Sequence, residues 1–217
     1  MKSALCVWGG WEGHQPKECM DILASWLEED GFAVELSDSL DVYADTDKLR
    51  SKDLIVQSWT MGVLTPQQED GLTIAVKNGT GIAGCHAGVI DAFRNSPTFQ
   101  FMMGGQFVYH PPGRPINFKT KIVNREDPIT AGINDFMMSS EPYYLHYDPA
   151  IDILATMQFG PTPDAPWIEG TVIPTIWKTT FAKGRVFCSS LGHLPEELQI
   201  PELKAITRRG MLWAARD

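Results

Sequence analysis

The sequence predicts a doubly wound α/β fold, in which helices cover both faces of a mostly parallel sheet. Short strand-like runs alternate with amphipathic helical segments along the first half of the chain, which is the pattern of a parallel sheet covered on both sides. The 217 residues are 43% hydrophobic, enough for a sizeable core. Because no repeat, linker or low-complexity tract interrupts the chain, residues 1–217 are expected to form one domain.

Helix boundaries in the first half are marked by capping residues. Pro16 suits the first turn of a helix whose apolar residues recur at i, i+3 and i+4, and Gly31 is expected to end it. Thr65 is expected to cap a second helix, with Pro66 at its first position, running to about residue 77. Strands are expected at residues 4–8, 32–36, 53–58 and 81–84, and a short helix through Val89, Ile90 and Phe93.

After Gly104-Gly105 the apolar period changes to two, which is typical of strands. Residues 104–111 are interpreted as a loop. The last helix is expected at residues 201–215. The further strands are expected at residues 117–123, 151–157, 173–178 and 185–189.

The net charge of the chain limits the kinds of partner that the protein is expected to bind. With 18 Lys and Arg against 27 Asp and Glu, the net charge is −9, which argues against nucleic acid and against anionic membranes. No apolar run reaches the ~18 residues needed to span a bilayer, and the first residues are not expected to form a secretory leader. The four cysteines lack C-x-x-C spacing and are interpreted as reduced thiols. The expected location is therefore the cytoplasm.

Four of the five histidines lie in glycine-flanked segments, on the side where ligands are expected. His14 follows the first strand, His86 the fourth and His193 the last, while His110 lies in the glycine-rich loop. Open α/β sheets bind ligands at the carboxyl ends of their strands. These four histidines are therefore candidate metal ligands; the alternative is that each one satisfies a local hydrogen bond.

The segment G-C-H-A-G at residues 84–88 has the shape of a nucleophile elbow at a strand-to-helix turn. Its central residue is His86, and an imidazole there suits a general base or a metal ligand. Cys85 is one position away from the centre and is interpreted as structural. The G-x-G-x-x-G match at residues 79–84 leads into a strand instead of following one, so no nucleotide cofactor is expected.

A carboxylate and two aromatic residues stand together in the segment S-E-P-Y-Y. Glu141 is a candidate metal ligand, acid/base group or acceptor for sugar hydroxyls, or else a solvated turn residue. Tyr143 and Tyr144, with Trp11 and Trp177, are candidates for stacking on a sugar ring. The alternative is that most of these aromatic residues belong to the hydrophobic core.

These motifs together resemble the ThuA-like (trehalose utilisation) family over nearly the whole chain. In chain order they are GH at 13–14, GCHAG at 84–88, GGQFVYHP at 104–111, SEPYY at 140–144, PTIWK at 174–178, GRVF at 184–187, LGH at 191–193 and RGMLWA at 209–214. The resemblance implies a flavodoxin-like fold of the class I glutamine amidotransferase-like superfamily. It also implies a role in carbohydrate use, often near sugar oxidoreductases.

The sequence departs from the patterns of the superfamily and of the family at two places. The amidotransferases place Cys at the elbow centre and a His-x-Glu pair after a late strand, whereas this chain has His86 at the centre and Glu196 one position too late after His193. Without a thiolate nucleophile, glutaminase chemistry is not expected. Asp127 also stands where family members often have His, either replacing it in ligand binding or forming a turn.

Three functions remain open from the sequence. The first is an enzyme acting on a disaccharide or keto-sugar, with zinc or manganese held by some of the candidate ligands and with His86 or Glu141 moving the proton. The second is a non-catalytic sugar-binding or regulatory protein. The third is an assembly partner of a sugar oxidoreductase, or a homodimer closed by the loops around Trp11 and residues 111–112. The candidate metal ligands are His14, His86, His110, Glu141 and His193.

Overall fold

The computed structural model describes every residue from Met1 to Asp217, with eleven strands and seven α-helices. The strands are β1 Ser3–Gly10, β2 Ala33–Ser37, β3 Leu54–Thr60, β4 Gly81–Cys85, β5 Gly105–Tyr109, β6 Ile116–Ile122, β7 Phe136–Ser140, β8 Tyr144–Tyr147, β9 Asp152–Gln158, β10 Val172–Phe181 and β11 Gly184–Ser189. The helices are α1 Pro16–Glu29, α2 Thr46–Ser51, α3 Pro66–Lys77, α4 Ala87–Ile90, α5 Pro97–Met103, α6 Pro195–Leu198 and α7 Pro201–Ala214.

Nine strands form one sheet in the order β2-β1-β3-β4-β11-β10-β9-β6-β7. The first five are parallel to one another, and the order β2-β1-β3-β4-β11 is that of the flavodoxin-like fold. The remaining four add on by antiparallel pairing. Strands β5 and β8 form a separate antiparallel ribbon. The predicted α/β class with a mostly parallel sheet is therefore confirmed.

Helices cover both faces of the parallel part of the sheet. Helices α1 and α7 pack on β1, β3, β4 and β11 and contact each other, whereas α3 and α5 contact each other across the opposite face. The central strands are buried on both sides: Leu5, Val56 and Ile82 are all 0% exposed. They belong to one connected core of 58 buried residues.

The predicted caps of the first helices are confirmed. Helix α3 begins with a capping box, in which the Thr65 hydroxyl accepts from the Gln68 N–H at 3.3 Å and the Gln68 side chain accepts from the Thr65 N–H at 2.9 Å. Helix α1 has Pro16 at its first position, as predicted. No helix is both long and apolar enough to cross a bilayer.

The predicted secondary structure was wrong where a strand forms by pairing with another segment and not from its local sequence alone. The glycine-rich segment interpreted as a loop contains β5, which pairs with β8, a strand that was not predicted. Strand β7, with alternating buried and exposed residues, and the short helices α2, α5 and α6 were also missed. Helix α4 ends at Ile90, so the predicted extension to Phe93 was wrong. The other predicted strands differ from the observed ones only by a few residues at their ends.

The packing around β4 gives a first testable expectation. A Cβ added at Gly84 would lie 2.4 Å from the Gln57 carbonyl oxygen and 2.4 Å from Val89 Cγ1, so Gly84→Ala should lower the free energy of unfolding by about 1–3 kcal/mol. A Cβ at Gly160 would meet no atom within 4 Å, and Gly160→Ala should stay within about 0.5 kcal/mol of wild type. Urea unfolding measures both; equal effects would contradict this account of the packing.

Candidate metal centre

Four side chains meet where the parallel strands end. His14 lies in a 3-10 turn after β1, His86 follows β4 directly, and His193 lies just beyond β11, so the sheet itself brings the three imidazoles together. Glu141 comes from the residue after β7. One ligand atom from each of these residues lies within 4.8 Å of all the others. The structure thus joins four of the five candidate ligands.

His86 is held in a fixed orientation and tautomer. Its backbone is strained, with φ 49° and ψ −137°, a conformation that bulky residues rarely adopt. Its Nδ1 lies 2.9 Å from the Ser190 carbonyl oxygen. Because a carbonyl can only accept, Nδ1 carries the proton, and Nε2 is left with a lone pair that faces the cluster.

His193 faces that lone pair directly. Its Nδ1 lies 3.0 Å from His86 Nε2 and 3.6 Å from Glu141 Oε2. Two imidazole nitrogens and a carboxylate oxygen therefore converge on one small volume. A single proton bridges the two nitrogens when no metal ion is bound, and a metal ion would replace that proton.

His14 completes the group from the opposite side. Its Nδ1 lies 2.8 Å from the hydroxyl of buried Thr60, so Nε2 is its unpaired nitrogen. Its ring is edge-on to those of His86 and His193, with centroids 5.0 and 4.9 Å away. Hydrogen bonds thus fix the outer nitrogens of His14 and His86, as in metal sites whose ligands are oriented by neighbouring groups.

Comparison with known proteins identifies the family. The family model ThuA, Trehalose utilisation, matches residues 3–214. The chain belongs to the ThuA family.

Solved structures of ThuA-like proteins have the same fold. One from Parabacteroides merdae has a TM-score of 0.78 and 18% identity, over 98% of this chain and 89% of that chain. One from Bacteroides uniformis has a TM-score of 0.75 and 17% identity, over 97% and 89%. A cytoplasmic protein from Salmonella typhimurium has a TM-score of 0.64 and 13% identity, over 100% of both chains. A search of curated proteins finds no match to this chain.

Burial keeps the three clustered histidines of this ThuA protein, His14, His86 and His193, neutral. It lowers the pKa of His14 to about 4, with a further lowering from His193 and His110. It lowers the pKa of His86 well below the usual value and also lowers that of His193, although Glu141 opposes the latter shift. Neutral imidazole is the form that binds metal ions, so the cluster is ready to accept one at neutral pH.

Glu197 is a structural support that the sequence reasoning missed. Its buried Oε2 accepts from the Ser140 hydroxyl at 2.8 Å, the His193 N–H at 3.0 Å and the Gly192 N–H at 3.3 Å. It therefore ties His193 to the residue that precedes Glu141. Burial raises its pKa. The available signal was a glutamate four residues after His193, in the short helix α6, but only Glu196 was compared with the His-x-Glu pair of the amidotransferases.

Three of the other candidates surround the cluster. The Tyr143 ring stacks on His86 with centroids 4.3 Å apart. Trp11 stands 52% exposed at the mouth, edge-on to His14. His110 lies outside the group of four ligands, but it lines the same cavity of about 210 Å³, and its buried Nδ1 has no hydrogen-bond partner.

Two predicted substrate contacts do not fit their positions. Trp177 is 0% exposed, and its Nε1 donates to the Met103 carbonyl at 2.9 Å, so it belongs to the core. Tyr144 packs against Phe159 and lines a different cavity. Asp127 is a turn residue, since its carboxylate accepts from the Ile129 N–H at 2.9 Å.

The shifted pKa of His14 makes the stability of the metal-free protein depend on pH. A histidine in the unfolded chain titrates near 6.5, whereas folded His14 stays neutral down to about 4. Protons therefore favour the unfolded state in this window, and stability should fall as the pH drops from 6.5 to 4. His14 contributes on the order of 3 kcal/mol to this loss.

The measurement is denaturant unfolding of metal-free wild type and His14→Gln at several pH values. The variant should show the shallower loss of stability below pH 6.5. Curves that stay parallel from neutral pH to pH 4 would contradict the assigned neutral state of His14.

Proposed function

We propose that this ThuA protein is a metal-assisted enzyme that acts on a sugar, with a disaccharide or keto-sugar as substrate. The observation that carries the proposal is the convergence of three neutral imidazoles and one carboxylate at the carboxyl edge of the sheet. The description of the family as Trehalose utilisation supplies the substrate class. The acidic surface, with a net charge of −9, suits a small substrate better than a nucleic acid.

The donor set favours zinc. Three nitrogens and one carboxylate oxygen are ligands that zinc accepts in catalytic sites, whereas manganese prefers oxygen-rich sites. Nitrogens bound to one tetrahedral zinc ion lie about 3.4 Å apart, and the closest pair here, His86 Nε2 and His193 Nδ1, lies 3.0 Å apart. The residues present therefore fit a zinc ion after small side-chain shifts.

The chain's own residues divide the work around such an ion. When bound, it would supply Lewis acidity, polarising a sugar oxygen or lowering the pKa of a water molecule. His86 has both ring nitrogens engaged, so it acts as a ligand and not as the base. Where the three imidazoles alone hold the ion, Glu141, which is partly exposed beside His193, is placed to hold or move a proton, as is His110 with its unpaired Nδ1. Tyr143 shields His86 from water.

Amidotransferase chemistry receives no support from these residues. The thiol of Cys85 is buried, and burial raises its pKa to about 12, so it does not supply a thiolate at neutral pH. The elbow position itself carries an imidazole. A covalent glutaminase mechanism therefore lacks its nucleophile.

We also place this function in the cytoplasm. All four cysteines are free and buried, as expected for a reducing compartment. The Salmonella typhimurium relative of the same fold is a cytoplasmic protein. A sugar oxidoreductase partner and a homodimer stay predictions from the sequence.

Elemental analysis and turnover test the proposal together. Wild type should bind stoichiometric zinc, and His86→Ala should lose most of it, together with any conversion of trehalose or a keto-disaccharide. His146→Ala, at an exposed histidine outside the cluster, is the matched control and should retain both properties. Zinc retained in His86→Ala, or sugar conversion that persists in it, would contradict the mechanism. Sugar binding without metal or product would indicate the non-catalytic alternative.

The role of Glu197 predicts a weaker effect on the same metal. Glu197→Gln places an amide group opposite three donors and loosens His193, so zinc affinity should fall by about 10–100-fold. Glu196→Gln, one residue earlier, is the matched control and should leave the affinity unchanged. Competition with a zinc-binding dye measures both affinities; equal values would show that Glu197 does not position His193.

A further inference from the structure

A second polar group lies beside the histidine cluster, and it consists of Asp91 and Arg94. Both residues line the cavity that also contains His14 and Glu141. Asp91 is only 4% exposed, and Arg94 holds it by two bonds, Nε to Oδ1 and Nη2 to Oδ2, the latter at 2.9 Å. This is the side-on, two-bond geometry that fixes a guanidinium in place.

The backbone around the pair is built to hold it there. The Met61 N–H donates to the Asp91 carbonyl, and the Phe93 N–H donates to the Met61 carbonyl, each at 3.0 Å. Met61 and Phe93 both have positive φ, 59° and 49°, which is uncommon for large side chains and persists only where the surroundings enforce it. The Arg94 guanidinium also lies over the Phe107 ring at 4.9 Å.

Arg94 keeps hydrogen-bonding capacity for a ligand. Its Nη1 has no partner within the protein, and the side chain is 54% exposed. Asp91 cancels its charge, and Glu141 adds a second carboxylate to the lining of the same cavity. With two carboxylates in the cavity that one guanidinium lines, Arg94 offers strong donors whose positive charge is already balanced. This balance disfavours an anion as the group bound at Arg94.

Trp11 supplies the complementary apolar surface. Its ring is half exposed in the same cavity and is anchored edge-on against His14, with centroids 4.7 Å apart. An indole face packs on the C–H face of a sugar ring, while fixed donors bind its hydroxyls. The exposed indole and the neutralised guanidinium thus line one cavity, together with the candidate metal ligands His14 and Glu141.

We propose that Arg94 and Trp11 form a subsite for an uncharged sugar ring, in which Arg94 donates hydrogen bonds to ring hydroxyls and Asp91 is the positioning residue that orients Arg94. The choice of a sugar rests on the function proposed above. The subsite itself predicts that neutral sugars are bound and that their uronic acids are rejected. Neither Asp91 nor Arg94 was singled out by the sequence.

Ligand-observed NMR and calorimetry on the full-length protein, with and without added zinc, test this subsite, with glucose, trehalose and glucuronate as probes. Wild type should bind at least one neutral sugar, and in the absence of zinc it should prefer glucose to glucuronate. Arg94→Gln and Arg94→Lys should each weaken neutral-sugar binding about tenfold or more. Arg50→Gln is the matched control, because Arg50 is 51% exposed and pairs with Asp47 three residues before it, and it should bind as wild type does.

Asp91→Asn separates positioning from a purely structural role. It frees the charge of Arg94, so glucose should bind more weakly and glucuronate more tightly than in wild type. Unchanged binding in both Arg94 variants, a preference of the zinc-free wild type for glucuronate, or no binding of either neutral sugar would overturn the subsite. Circular dichroism of each variant checks that it is folded, and Arg94→Lys keeps the test decisive if Arg94→Gln is not.

Zinc content measured on the same samples distinguishes this proposal from the proposed function. Arg94→Gln should retain zinc while losing sugar affinity. If wild type holds no zinc but loses sugar binding only in the Arg94 variants, the metal-assisted function fails and the subsite stands. If zinc and turnover are present but the Arg94 variants bind sugar normally, the subsite fails and the function stands.

Discussion

The hydrogen bond from His86 Nδ1 to the Ser190 carbonyl orients the centre on which the rest of the site depends. It crosses from the end of β4 to the end of β11, and the parallel pairing of these strands, with Cys85 opposite Ser189, puts the two groups within reach. It fixes the proton on Nδ1 and so points the lone pair of Nε2 at His193, a residue 107 positions away along the chain. Without this bond the imidazole could rotate or change tautomer, and the cluster would lose its common focus.

The cluster brings together groups that are unfavourable when charged. Three imidazoles lie buried within about 5 Å of one another, and burial lowers the pKa of each of them. Such an arrangement costs stability unless the protein gains something at the site. Glu197 offsets part of this loss of stability by holding the backbone of His193 in place. Glu141 supplies a negative charge that favours binding of a divalent cation.

Much of this could be predicted from the sequence, since the rules involved are local or topological. Uninterrupted apolar runs, the Thr65 cap and glycine-flanked histidines after strands led to the fold and to the convergence of His14, His86 and His193. The β5–β8 ribbon could not be predicted, because two short segments become strands only by pairing with each other. Trp177 was misplaced because aromatic residues of the core and of a cavity look alike in sequence; here Met103 satisfies its indole N–H.

Other parts of the site depend on contacts between distant segments. Asp91 and Arg94 resemble an ordinary surface pair three residues apart, and only the strained backbone at Phe93 and the contact with Met61 place them in the cavity. Glu197 likewise gains its role from Ser140, a residue 57 positions earlier in the chain. Spacing along the chain carries no signal for such contacts.

Zinc-edge X-ray absorption on the zinc-loaded protein tests the central claim most directly. The account predicts a spectrum of nitrogen and oxygen neighbours at about 2.0–2.2 Å, with the outer scattering of three imidazoles. A zinc–sulfur distance of about 2.3 Å would contradict it, because it would assign the metal to Cys19 or Cys85, which line the cavity behind the histidines. A shell of oxygen neighbours with no imidazole scattering would contradict it equally.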